Sequence, residues 1–334
     1  PQTSLSALWL LSLMREAGLP DDVLQVVPGD GVTTGAAVVD AVDFLEFTGS
    51  TAVGRIVASR CGERLIGCSL ELGGKNAMII RADADIARAA EVAQRACFST
   101  AGQLCISMER IYVHESVHDA FVAAFVERLG GMRLASGPGW GFDMGTLTSA
   151  AQLAKVQRHV ADAVDRGATL LFGGNARPEV APFAHEPTVL ANVTEDMILC
   201  DEETFGPVVA VYPVRSDDEA VERANDTVYG LNASIISRDA RTARALATRL
   251  RAGTVNINEA YGPSWGSTSA PMGGMGDSGL GRRHGEEGLL QVTEPQTIAT
   301  QRVLGFGPPF GWSDERWGNS LVSAFSLIKR AGLK

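Results

Sequence analysis

Two short stretches of this chain carry residue types that could do covalent chemistry. Phe98–Ser107, FSTAGQLCIS, places Cys105 in a small, polar segment directly after Gly102 and Gln103. Leu70–Lys75, LELGGK, places Glu71 beside Gly73 and Gly74 at the end of an apolar run. A thiol can form a thioester with an acyl group, and a carboxylate can activate the water that hydrolyses it. Taken singly each residue is ordinary: a cysteine is most often a small buried hydrophobe, and a glutamate in LEL a surface strand residue.

The elements that must position them follow from the hydrophobic pattern. Ser4–Ala17 reads as an amphipathic helix stopped by Gly18 and Pro20. Val23–Val27 reads as a short buried strand, PGDG at 28–31 as a turn, and Thr33–Val39 as a helix. A strand at Asp43–Phe47 runs into Gly49 and a helix from Thr51, and Cys68–Leu72 is the next strand, broken by Gly73–Gly74. Asn76–Ile80 then opens a second region, followed by a helix from Asp85 to Cys97 with Asp85 as N-cap and Ile86, Ala89, Ala90 and Ala93 on one face. Beyond the thiol segment, strands at Arg110–His114, Thr169–Phe172, Thr188–Val193, Val208–Val214, Leu231–Ser237 and Thr254–Asn258 are expected. Helices are expected at Val117–Leu129, Ser149–Arg166, Asp217–Asn225, Ala240–Arg251 and, in the tail, Ser320–Ala331. Strands alternating with helices predict an α/β fold with a parallel, doubly wound sheet.

The chain of 334 residues is long enough for two domains, and 45% apolar residues suit large cores. A net charge of −10 argues against nucleic acid or an anionic membrane as partner. Cys61, Cys68, Cys97, Cys105 and Cys200 make an odd count without CxxC spacing, and the histidines lack ligand spacing, so neither disulfides nor a metal are expected. A reducing, cytoplasmic setting fits, with no apolar run of spanning length and no signal-peptide pattern in Pro1–Pro20.

Together, LELGGK and GQLC resemble the paired signatures of the NAD(P)-dependent aldehyde dehydrogenase superfamily, with thirty-four residues between Glu71 and Cys105. FTGSTAVG (47–54), EETFGPV (202–208), GTVNIN (253–258) and SGLGRRHG (278–285) extend the resemblance over roughly residues 1–300. QLCIS, LQVVPGDG (24–31) and NEAYGPSWGS (258–267) look closest to the bacterial succinic-semialdehyde dehydrogenase-like branch. The resemblance implies an aldehyde dehydrogenase-like fold: a partial cofactor domain at 1–72, a catalytic thiol domain at 73–275, and a return to the cofactor domain with a tail at 276–334. It implies Cys105 as nucleophile and Glu71 as general base. It also implies NADP or NAD as cofactor, with Gly49, Ser50, Gly54, Leu72, Gly73, Glu203 and Phe205 around it.

Gly49 lies at a strand-to-helix turn, where helix amides and dipole suit a phosphate. The spacing to Gly54 is not GxGxxG, and a glycine pair there can equally be a packing device. A working nucleophile of this kind would need its thiol pKa lowered by a helix N-terminus or a positive charge. The partners expected are a small-molecule aldehyde and further copies of the complete chain.

Departures from the family pattern shape further expectations. The chain begins partway through it and lacks the upstream P-W-N segment whose Asn donates to the oxyanion. It therefore resembles the C-terminal two-thirds of an enzyme and is expected to be weak or inactive when made alone, since one such donor is commonly worth about 10²–10³ in rate. Pro1 stands where NAD-preferring members carry a ribose-binding Glu, which leaves NADP as acceptable as NAD. Arg283 replaces a Glu proposed to relay protons, Gly276 replaces a Lys, and Ser99 stands where succinic-semialdehyde dehydrogenases often place an Arg for the substrate carboxylate. Succinic semialdehyde is the expected substrate, with general aliphatic or aromatic aldehydes as the alternative. A CoA-acylating enzyme, which commonly lacks the carboxylate at 71, and a non-catalytic dinucleotide-binding fragment are the other readings.

Overall fold

The computed structural model describes residues 2–137, 139–302, 305 and 307–332. Pro1, on which the ribose-carboxylate expectation rests, lies outside the described residues. The chain forms two compact units, Pro1–Val292 and Thr293–Lys334.

In the first unit the chain opens with α1 (Ser4–Glu16), α2 (Ala36–Ala41), β1 (Phe44–Thr48), α3 (Thr51–Arg64) and β2 (Gly67–Glu71). β3 (Asn76–Ile80), α4 (Ile86–Phe98), β4 (Met108–His114), α5 (Glu115–Gly130), α6 (Ala150–Asp165) and β5 (Thr169–Phe172) follow. Then come β6 (Thr188–Ala191), α7 (Ile198–Asp201), β7 (Val208–Val214), α8 (Asp217–Asn225), β8 (Asn232–Ile236) and α9 (Ala240–Ala247). β9 (Thr254–Ile257), α10 (Gly262–Trp265), β10 (Gly279–Leu280) and α11 (Gly285–Leu290) complete the unit.

The strands build two sheets: β1-β2-β10, and a seven-stranded sheet in the order β5-β6-β7-β4-β3-β8-β9. The chain passes from one to the other through Leu72–Lys75. Along the run β6-β7-β4-β3-β8-β9 of the large sheet every adjacent pair is parallel, and every residue of β3 and β8 is buried, as expected of strands covered on both faces. α4 covers one face: Asp85 accepts the Arg88 N–H at 3.1 Å, and Ala89, Ala90, Val92, Ala93, Ala96 and Cys97 lie against the sheet. A smaller core of Val39, Leu45 and Cys61 holds α2 and α3 on the small sheet.

The parallel expectation needs two corrections. β5 pairs antiparallel with β6, and β10 pairs antiparallel with β2. Both are edge strands, where no crossover helix is required to cover the backbone. Val23–Val27 forms no strand: the segment lacks a ladder partner, and Val23 and Val27 are exposed. The helix expected from Thr33 begins as a π-turn at Gly31–Gly35, where Asp30 accepts the Val32 and Thr33 N–H groups.

The second unit contains α12 (Asp314–Arg330), which starts six residues before the expected Ser320 because Ser313 caps it by accepting the Arg316 N–H. Arg316 lies 4.3 Å above the Trp312 ring, which meets Trp317 edge-on at 6.3 Å.

Candidate active site

Glu71 is the last residue of β2, opposite Thr48 of β1 and Gly279 of β10. Its backbone carbonyl accepts the Gly49 N–H at 3.1 Å, so the strand end that carries Glu71 is tied to the turn before α3. Cys105 lies in the loop leading into β4. The backbone arrives there through three consecutive left-handed residues, Thr100 (φ 54°), Ala101 (φ 54°) and Gly102 (φ 69°). Only glycine serves at the third: a Cβ there would stand 2.1 Å from the Gly206 carbonyl oxygen.

Two asparagines at the amino ends of β3 and β8 hold this loop. Asn76 donates from Nδ2 to the carbonyls of Cys105 (2.8 Å) and Ser107 (2.7 Å), while its Oδ1 accepts the Asn232 N–H at 3.0 Å. Asn232 in turn donates to the Ile106 carbonyl at 3.0 Å. Gln103 adds a bond to the Thr146 carbonyl and accepts from the Thr148 N–H. The thiol therefore stands at the amino edge of the large sheet and the carboxylate at the carboxyl edge of the small one. The rule for open doubly wound sheets, that ligands bind at the carboxyl ends of strands, holds here for the small sheet alone.

A third group reaches the site from the loop before β7. Glu203 accepts the Gly74 N–H through Oε1 at 2.9 Å, and a Cβ on Gly73 would stand 2.5 Å from its Oε2. That loop hangs on a buried ion pair, Lys75 Nζ to Glu109 Oε2 at 2.6 Å. Glu109 also accepts the N–H groups of Thr204 and Phe205, and Lys75 donates to the Glu202 carbonyl at 2.7 Å. Gln152 donates to the Thr204 and Phe205 carbonyls, which fixes Phe205 in a left-handed conformation at φ 54°.

The electrostatics run against one expectation. Burial, with the Glu71 and Glu203 carboxylates beside it, pushes the Cys105 thiol up to about 11, although the N–H groups of Cys105 and Ile106 act in the opposite sense. Burial first, and then the carboxylates that stand where cations would be needed, therefore work against activation of the thiol in advance. Burial pushes Glu71 up to about 7, opposed by Arg283 and then Arg282, and Glu203 also to about 7, through burial and the Glu109 charge. Neither oxygen of Glu71 makes a hydrogen bond among the described residues, although both are buried.

Of the residues the resemblance assigns to a cofactor, Gly49 and Ser50 lie exposed at the start of the fourteen-residue helix α3. Ser50 caps it, accepting the Val53 N–H at 3.4 Å. Gly54 is buried, and a Cβ there would stand 2.4 Å from Leu72 Cδ2, so its part is to let α3 settle on Leu72. Gly73 and Glu203 meet, with Glu203 beside the thiol, and Phe205 follows two residues on in the same loop. The exposed helix N-terminus and the side-chain-free Gly73 facing Glu203 fit the phosphate and ribose ends of a dinucleotide. Asn76, Glu109 and Asn232 escaped sequence reasoning. The signal available was an asparagine opening each of two mostly apolar strands, β3 and β8, and a glutamate in second place in β4. Among the described residues no cluster of His, Cys, Asp or Glu suits a metal ion, and no helix is long and apolar enough to cross a membrane.

Comparison with known proteins bears on the family and the fold. The aldehyde dehydrogenase family matches residues 1–298. A Mycolicibacterium smegmatis protein named putative succinate-semialdehyde dehydrogenase (NADP+) is 51% identical over 329 residues, 98% of this chain and 64% of that protein. The mitochondrial aldehyde dehydrogenase of Leishmania tarentolae is 42% identical over 89% of this chain and 59% of its own length. Among solved structures, Staphylococcus aureus betaine aldehyde dehydrogenase in complex with NAD+ superposes with a TM-score of 0.81 at 32% identity, covering 89% of this chain and 61% of that one. A mutant aldehyde dehydrogenase from Bacillus cereus gives 0.83 at 37% identity, covering 87% and 59%. The chain therefore spans less than two-thirds of the length of these relatives.

Proposed function

The chain belongs to the aldehyde dehydrogenase family, and from that premise we propose that the protein oxidises an aldehyde to its acid, with NADP or NAD as hydride acceptor. The observation that carries this reading is the buried Glu71 carboxylate, with both oxygens unengaged, in the field of the Cys105 thiol. A thiol held near 11 needs a base to ionise it, and a carboxylate held near 7 can act as that base at neutral pH.

In the proposed sequence, Glu71 takes the thiol proton and the sulfur attacks the aldehyde carbon, forming a C–S bond and an oxyanion. An oxidised dinucleotide bound here would supply the acceptor for the hydride that leaves this carbon. Ser50 and the α3 N-terminus would hold its phosphates, and Glu203 and Phe205 its ribose and ring end. Collapse of the oxyanion leaves a thioester on Cys105. Glu71, again a carboxylate once its proton has passed to solvent, removes a proton from water as the water attacks the acyl carbon. The acid leaves and the thiol is restored. The asparagine clamp keeps the loop in place through both attacks.

Succinic semialdehyde is the proposed substrate, in a cytoplasmic setting, and the complete enzyme is proposed to be a homo-oligomer. The name of the Mycolicibacterium relative supports the substrate, whereas Ser99 offers no guanidinium for its carboxylate. The test is NAD(P)H formation by the longest polypeptide its gene encodes, comparing succinic semialdehyde with hexanal. A preference of about a hundredfold in kcat/KM, some 2.7 kcal/mol, is expected. Equal turnover of hexanal would make it a general aldehyde dehydrogenase, and no turnover of either would return the reading to a non-catalytic module.

A further inference from the structure

Glu71 poses a problem that Cys105 does not solve. A carboxylate stripped of water and bonded to nothing should hold its proton too tightly to serve as a base near neutrality. A direct ion pair would correct this but would occupy the lone pairs that must accept protons. No ion pair to Glu71 forms among the described residues. Two arginines stand nearby instead, in the segment that follows β10.

Arg283 is the better placed. Its backbone exchanges two 2.6 Å hydrogen bonds with Met272, which fixes where the side chain starts. Its Nη2 donates to the Phe47 carbonyl at 3.2 Å, and Phe47 pairs across the sheet with Leu70, the residue before Glu71. The Arg283 Nε is buried and makes no hydrogen bond among the described residues. Arg282 is committed elsewhere, to the carbonyls of Gly274 and Gly281. Gly273 closes the remaining side: a Cβ there would stand 3.1 Å from Glu71 Oε1 and 3.0 Å from Arg282 Cδ. Facing Glu71 are therefore Glu46 from β1, Cys105 across the site, and the two arginines, while Glu203 stands beside Cys105.

We propose that Arg283 is a positioning residue for the base: a fixed cation moored to β1 at a stand-off from Glu71, stabilising the carboxylate without covering either oxygen. The inference rests on Glu71 and Cys105 acting as base and nucleophile. A guanidinium suits the task because it keeps its charge across the working range. The weakening of Glu71's proton hold by Arg283 agrees with this arrangement.

The test uses Cys105 as a reporter in the intact chain, without turnover. The rate of its alkylation by iodoacetamide, read on the Cys105 peptide by mass spectrometry, is followed from pH 5.5 to 9.5. In the wild type, ionisation of Glu71 raises the thiol pKa and puts a break in the log rate near pH 7. Glu203 also ionises near pH 7 beside the thiol, so every variant is made on an E203Q background, where E71Q should abolish the break. On that background R283M should move it up by about one pH unit, and R283K, which keeps a cation, should leave it near the position seen in E203Q alone. A break that E71Q abolishes but R283M leaves in place would overturn the role of Arg283 alone. Equal displacement in R283K and R283M would do so too, since loss of packing would then be the cause. A break that survives E71Q would overturn the Glu71–Cys105 pairing and this inference with it.

Discussion

Replacing Glu71 by Gln should stabilise the fold, and only at the pH where the carboxylate is charged. Burial raises Glu71 from 4.5 to about 7 in the folded chain. Between these values the folded state holds a proton that the unfolded state has released. Stability relative to a neutral residue is therefore full below about pH 4.5, falls by about 1.4 kcal/mol per pH unit, and levels off above pH 7. The window spans about two and a half pH units, so Gln should gain about 3 kcal/mol over Glu at pH 8.5 and nothing at pH 4.5. Glu203 loses stability over the same window but is present in both proteins and cancels in the comparison. How well the amide fits affects both pH values equally, so the difference of differences isolates the charge. Thermal unfolding of both proteins at pH 5 and 8.5 measures it, with a gain of several degrees expected at the higher pH alone. The same variant should lose at least about 10²-fold in acid release, the sign of a site that trades stability for reactivity. Equal melting temperatures at pH 8.5, or the same gain at both, would show that Glu71 is not a dry carboxylate and would refute the reasoning.

Three further outcomes follow from the geometry. Glu109→Ala should destabilise the protein by about 3–5 kcal/mol, because it strands the buried Lys75; Lys75→Met with Glu109→Leu should cost far less, as denaturant unfolding of the set would reveal. Gly102→Ala combines a left-handed φ with a Cβ 2.1 Å from the Gly206 carbonyl, so Cys105 should lose reactivity toward iodoacetamide by at least about tenfold while the core of the large sheet stays folded by circular dichroism. Gly54→Ala should cost about 1–3 kcal/mol by overpacking Leu72, and a Leu72→Ala partner should recover part of that in a double-mutant cycle; simple additivity would remove the contact from the account.

Much of the fold was legible because its signals are local. Asp85 announces α4 one residue before it starts, and the apolar runs of β3, β4, β7 and β8 sit where the pattern puts them. Glu71 and Cys105 were legible through motif wording. What escaped depends on partners distant in sequence. Val23–Val27 has the apolar composition of a strand, but a strand exists only beside another, and no local window reports the neighbour. The antiparallel β5–β6 edge is set by where the chain re-enters the sheet. The direction of the thiol's shift was not legible for the same reason: burial has no sequence signature of its own, and Glu203 lies far along the chain. Lys75 stood in plain view within LELGGK, yet its role appears only when Glu109 is placed against it.

The strip Leu72–Lys75 gives the site a ruler. Glu71 ends one sheet, Asn76 begins the other and grips the thiol loop, and five residue steps join them. Fully stretched, such a tether spans about 17 Å, and its glycines are wedged against Glu203 and the Cys105 carbonyl. The spacing of the proposed base and nucleophile is thus written in covalent length rather than left to the docking of two bodies. One added residue here would put the two reacting groups out of step by about 3 Å. The long loop at 173–187 could absorb several added residues without moving either group. Any motion that parts the sheets to free a product must also draw the carboxylate away from the sulfur, so that opening the site and switching it off become one mechanical event.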